Sequence, residues 1–221
     1  SVGSGGKGIY RLYKSCDLTL EIYEKVTRES YTVQELIENG RDVKGAFYLY
    51  DTKLIGFYAH ERIRTSPPDG GVTVFSKSIH DERLLSEGRK LLDDLHWKGL
   101  IMLEFLYDSK TDSYKIIEAN PRIWGSILLS EYCGERLLTN YVNICLGRSF
   151  EKEDSIQTRY IRWFFPVDLL NYIKTGFSIA GFWSFKNTCF INWTYANKLS
   201  AIYYNLISLF RLKNIQRFFR K

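Results

Sequence analysis

Two glutamates set inside apolar, strand-like runs constrain this chain more than any other feature. Residues 99–107 (GLIMLEFLY) read as a mostly apolar strand, and 114–118 (YKIIE) as its antiparallel partner across the polar turn 108–113. Glu104 sits between Leu103 and Phe105, and Glu118 between Ile117 and Ala119. A carboxylate in such surroundings is costly unless it is paired or binds a metal. Antiparallel pairing brings both to the same edge of the sheet, with Asn120 just beyond. Two carboxylates and an amide oxygen are hard ligands of the kind Mg²⁺ takes, with phosphate oxygens completing its shell. The residues alone also allow the plainer alternative that Glu104 and Glu118 are exposed strand residues paired with Lys115 or Arg122.

The rest of the pattern is that of an α+β chain. Residues 8–14 read as a short strand, and Ser15 or Asp17 can cap a helix running to about Arg28 with Leu18, Ile22 and Val26 on one face. Residues 31–37 (YTVQELI) read as a strand and 38–40 as a turn, while 43–50 and 54–63 read as a hairpin. Pro67, Pro68, Gly70 and Gly71 mark 64–73 as a loop. Leu84, Leu85, Gly88, Leu91, Leu92 and Leu95 recur at helical spacing in 81–96. Residues 120–126 read as a loop and 135–146 as a helix. Beyond Gly147 the character shifts to a helix over 163–174, an irregular aromatic stretch over 181–193, and a basic, apolar-faced helix over 195–221. The expected division is a core over 1–147 and a helical, aromatic, basic extension over 148–221.

Bulk properties narrow the function classes only a little. The net charge is +6, hydrophobic residues make up 45% and charged residues 25%, a globular balance tilted toward anionic partners. Cys16, Cys133, Cys145 and Cys189 form no CxxC pair and no zinc pattern, which fits a reducing compartment better than a disulfide scaffold. No signal peptide and no apolar run of bilayer-spanning length is evident. A start at Ser1-Val2-Gly3, inside a glycine-rich loop, reads as a fragment of a longer chain.

Two further segments suit a nucleotide. Gly3, Ser4, Gly5, Gly6, Lys7 and Gly8 precede a strand; glycines let backbone amides approach phosphates, and Lys7 adds a cation. This is not a phosphate loop of the Gly-Lys-Ser/Thr type, which runs into a helix. Residues 33–37, followed by Gly40-Arg41-Asp42, could offer a strand edge to adenine and an acid to ribose.

In order, GSGGKG, VQELIENGRD, IMLEFLYD and IIEANPRIWGS resemble the ATP-grasp superfamily, which includes D-alanine–D-alanine ligase, biotin carboxylase and carbamoyl phosphate synthetase. Glu-x-Asn-Pro-Arg, at a set distance after a strand glutamate, is the most specific part. The resemblance covers 1–147 and implies an ATP-grasp fold that binds ATP with Mg²⁺, Mn²⁺ being the alternative metal. Gly3 to Gly8 would then fold over the triphosphate. Gln34, Glu35 and Ile37 would meet adenine, and Asp42 would hold the ribose. Glu104, Glu118 and Asn120 would hold the metal, and Arg122 would steady the transferred phosphoryl group. Arg62 is a weaker candidate for a phosphate contact. Members usually carry a lysine just before the glycine loop, which this chain starts too late to show. A second family lysine finds no match in 30–33 (SYTV).

The implied activity is an ADP-forming ligase joining a small-molecule carboxylate to an amine, or less often a thiol, through an acyl phosphate. A kinase or carboxylase of the same superfamily, or a module that binds nucleotide or membrane without catalysis, is the rival reading. The loop 66–72 and Trp124-Gly125-Ser126 would face the acceptor, with Arg64 pairing its carboxylate or lying in solvent. His60 reads as packing and His96 as a helix cap. The segment 195–221 is expected to pack on the core or a partner subunit, or else to lie on a membrane surface, with nucleic acid last in order. The expected location is the cytoplasm, at the membrane periphery if the tail meets lipid.

Overall fold

A computed structural model describes residues 10–29, 31–37, 43–66, 72–150 and 156–191, together with Tyr203 and Ile207. A seven-stranded sheet organises the molecule. In chain order its strands are β1 (Val43–Asp51), β2 (Lys53–Ser66), β3 (Val72–Ile79), β4 (Gly99–Asp108), β5 (Ser113–Asn120), β6 (Tyr160–Arg162) and β7 (Thr188–Phe190). Their spatial order is β5-β4-β1-β2-β3-β6-β7, antiparallel throughout except for the last pair. β1, aromatic and apolar on both sides, fills the centre, and Ala46 to Tyr50 are all buried.

Each face of the sheet has its own cover. Ala46, Tyr48, Phe57, Ile101, Leu103 and Phe105 meet α2 (Glu82–Asp94), which lays Leu84 and Leu92 on them. Asp81 caps this helix by accepting from the Arg83 amide at 3.0 Å. Gly88, between the two leucines, leaves room for Tyr48, whose hydroxyl donates to the Leu84 carbonyl at 2.5 Å. The opposite face carries Phe47, Leu49, Tyr58, Leu100 and Met102, covered by Trp124, α3 (Leu128–Cys133) and α4 (Leu137–Cys145). Gly134, at φ 101°, ends α3 in a left-handed turn. Glu131 then caps α4, its carboxylate accepting from the Leu138 amide at 2.9 Å and the Thr139 hydroxyl at 2.5 Å.

Several expected elements are corrected here. Residues 10–14 form no strand and lead into a 3-10 turn at Ser15–Asp17. Helix α1 (Leu20–Arg28) is present, but its cap is Thr19, not Ser15 or Asp17. Residues 31–37 join no strand ladder among the described residues. β-propensity alone holds no strand in place without a pairing partner. β2 extends to Ser66 and β3 begins at Val72, so most of the expected 64–73 loop is strand or lies outside the described residues. The helix expected over 163–174 is a kinked turn at Phe164–Asp168, with non-helical Phe165, followed by α5 (Leu169–Lys174). Of 195–221, only Tyr203 and Ile207 are described, and both are helical.

The chain beyond 148 adds to the same sheet through β6 and β7. Asp168, fully buried, clamps this part onto β2: Arg64 Nε and Nη2 donate to its two oxygens at 3.1 and 2.8 Å. Arg162, also buried, donates to Asp168 at 2.5 Å and to the Phe182 carbonyl at 2.6 Å. Phe75, Phe164 and Phe182 surround the Arg162 guanidinium. Arg64 is thus neither in solvent nor facing an acceptor. No helix among the described residues is long and apolar enough to cross a membrane.

Candidate functional site

Register places the carboxylates. On the β4–β5 ladder Glu104 is directly opposite Glu118, and Asn120 is opposite Met102. On its other side Glu104 faces Gly45 of β1, which faces His60 of β2, which faces Ser78 of β3. Cross-strand partners share a face. One row therefore runs Glu118, Glu104, Gly45, His60, Ser78 across the sheet, and the next runs Asn120, Met102, Phe47, Tyr58. A bulge after Glu104, where Phe105 pairs with Ile116 rather than Ile117, turns β5 just beside the pair. The carboxylates thus stand where the apolar core of this face ends.

Asn120 is the last residue of β5, not the first of a loop as expected, and is buried. The Arg122 amide turns back to the Asn120 carbonyl at 2.9 Å. Two residues on, Trp124 is buried and stacks on Phe47 with ring centres 4.6 Å apart. Asn-Pro-Arg-x-Trp is therefore pinned at both ends, and Arg122 between the anchors is exposed.

The charges are uneven. Arg62, two residues along β2 from His60, places Nη2 2.8 Å from Glu104 Oε2. Neither Lys115 nor Arg122 takes that place. Arg62 Nε is buried and has no acceptor. Glu118 is exposed, and no side chain among the described residues pairs with it. His60 is 4% exposed, and its Nδ1 is buried without a partner. Burial first, and then the Arg62 charge, push its pKa down to about 3, so the imidazole is neutral at ordinary pH. Its ring lies across Gly45: a Cβ there would come within 2.8 Å of His60 Cε1. A glycine beside Glu104 is what admits the ring, a link between Gly45 and His60 that the sequence pattern did not reveal.

The arrangement fits a divalent cation bound jointly with a ligand. No group of three or more His, Cys, Asp or Glu side chains that could hold a metal is present among the described residues. Glu104, Glu118 and the Asn120 amide offer hard oxygens, but a full shell needs oxygens from a ligand, as Mg²⁺ commonly uses. Other expected site residues are not gathered here. Gln34 and Glu35 are exposed and Ile37 half-buried, with no hydrogen bond or ion pair to the sheet among the described residues. Gly3, Ser4, Gly5, Gly6, Lys7, Gly8 and Asp42 lie outside the described residues. A separate cavity of about 300 Å³, lined by Tyr58, Ser78, His80, Cys133 and Gln157 among others, includes neither Glu104 nor Glu118.

Solved structures share part of this architecture. Phosphoribosylglycinamide synthetase from Anaerococcus prevotii is similar at TM-score 0.48 and 16% identity, over 57% of this chain and 35% of that one. A biotin carboxylase complex with βγ-ATP from Campylobacter jejuni is similar at 0.45 and 17%, over 57% and 30%. Rhizobium etli pyruvate carboxylase is similar at 0.46 and 16%, over 59% and 14%. This chain spans about a third or less of the length of each. No family model matches the chain, and no curated protein matches it.

Proposed function

We propose that this chain carries the metal and phosphate site of an ATP-grasp enzyme that activates a carboxylate with ATP, releasing ADP, and passes the acyl group to an amine or thiol. The observation that supports it best is the direct opposition of Glu104 and Glu118, with Asn120 on the same face and Arg62 paired with Glu104. Glu104, Glu118, Asn120 and Arg122 are the four positions that the Glu…Glu-x-Asn-Pro-Arg resemblance carries over.

Glu104, Glu118 and Asn120 would hold Mg²⁺, or Mn²⁺, which would supply positive charge to offset that of the phosphates. Phosphoryl transfer asks little covalent work of a protein, so positioning and charge dominate. Arg122 supplies a permanently charged fork for the moving phosphoryl group, its backbone set by Asn120 and Trp124. The backbones of Glu35 and Ile37, with Gln34 beside them, would meet adenine. Gly3 to Gly8 would cover the phosphates, and Asp42 would take the ribose.

The test is nucleotide turnover with Mg²⁺ and a panel of amino acids and small carboxylates, beside a Glu118→Gln variant. ADP and phosphate formed by the native chain, and reduced by about 10²-fold or more in the variant, are the expected result. AMP and pyrophosphate would overturn the acyl-phosphate route. No turnover, with no Mg²⁺-dependent ATP binding by calorimetry, would overturn the enzyme reading altogether.

A further inference from the structure

Glu104 is already engaged. Arg62 Nη2 holds its Oε2 at 2.8 Å, and the two side chains are only 26% and 15% exposed, so solvent screens the pair weakly. Glu118, directly opposite, has no such partner among the described residues. Two facing carboxylates repel each other, and the guanidinium relieves that repulsion from one side. A divalent cation seeking both carboxylates meets Arg62 as a competitor for the same oxygen and as a like charge beside it. The guanidinium is also not fully used: its buried Nε has no acceptor among the described residues. A ligand rich in anionic oxygens would give Arg62 more acceptors than Glu104 does.

We propose that Arg62 is an internal counter-ion that keeps free divalent cations off the Glu104–Glu118 pair and gives way to a cation arriving with a polyphosphate. Metal and nucleotide then bind with positive cooperativity. By linkage, whatever the nucleotide does to metal affinity, the metal does to nucleotide affinity. The neutral His60 belongs to the same device: a second cation on that row would repel metal and Arg62 alike, whereas the buried imidazole adds none. This inference rests on the proposed metal and nucleotide site.

The experiment is a Mn²⁺ titration followed by electron paramagnetic resonance of the free ion, on the full 221-residue chain, with and without a non-hydrolysable ATP analogue. Arg62→Gln, Arg62→Lys and Glu118→Gln are compared with the native chain. Arg62→Gln is expected to bind Mn²⁺ alone about tenfold more tightly, a coupling of ordinary size, and to lose most of the enhancement by nucleotide. Arg62→Lys, which keeps the charge, is expected to stay near native values. Unchanged or weaker Mn²⁺ binding in Arg62→Gln, with Glu118→Gln still abolishing it, overturns the counter-ion role and leaves the site standing. Mn²⁺ binding indifferent to Glu118→Gln overturns the site reading, and the inference with it.

Discussion

His60 gives the site a pH signature. Its folded pKa, about 3, lies below the ordinary value of 6.5. Above 6.5 both folded and unfolded states are neutral there, and His60 adds no pH dependence. Between 6.5 and 3 the unfolded chain takes a proton that the folded chain refuses, so stability falls as pH falls, by up to about 1.4 kcal/mol per unit. Urea midpoints measured from pH 7 to pH 4 are expected to drop less steeply in His60→Gln than in the native chain. An imidazole proton resonance of His60 titrating near 6 would refute the assignment. At this scale the sequence was only partly readable. Glu104, Glu118, Asn120 and Arg122 stand out because carboxylates and an Asn-Pro-Arg turn are conspicuous in apolar strands. The Arg62 partner of Glu104 does not, because it comes from a strand paired through β1, and no local spacing encodes that neighbour.

Among the elements, α2 shows how a local pattern and a tertiary demand can disagree. Gly88 in mid-helix is unfavourable by about 1 kcal/mol relative to alanine on propensity alone. Yet a Cβ at Gly88 would sit 2.0 Å from the Tyr48 hydroxyl, which is buried and donates to the Leu84 carbonyl. Gly88→Ala is therefore expected to destabilise the fold by about 1–3 kcal/mol despite the better helix former, read from the shift in thermal midpoint. A rise in the midpoint would show that α2 can slide to make room. The same contrast explains which elements were readable. α2, β1 with β2, and β4 with β5 combine strong periodicity with neighbours close in sequence. Segments 10–14 and 31–37 have strand-like composition and no ladder partner. β6 and β7 are three residues each and owe their existence to the strands beside them.

For the whole molecule, the clamp at Asp168 decides whether the chain beyond 148 stays on the sheet. It is one carboxylate between two arginines, itself fully buried. Asp168→Asn leaves Arg162 and Arg64 without their counter-charge in an apolar, aromatic setting. A loss of about 3–5 kcal/mol is expected, seen in urea denaturation at neutral pH; a change below about 1 kcal/mol would mean that water reaches the cluster. The sequence offered Arg64 as a surface or acceptor-facing residue because its partner lies 104 residues away and no composition rule links them.

The two carboxylates of the proposed site do not share the same mechanical footing. Glu104 is on β4, held by ladders on both sides, whereas Glu118 is on β5, which ends the sheet and has one neighbour. One jaw is therefore fixed and the other compliant. β5 is anchored at its start, where the Tyr114 hydroxyl donates to Asp81 at 2.8 Å, and the bulge interrupts its ladder beside Glu118. A ligand drawing both glutamates together would tighten this margin, so the outermost strand is where binding would register as slowed amide exchange.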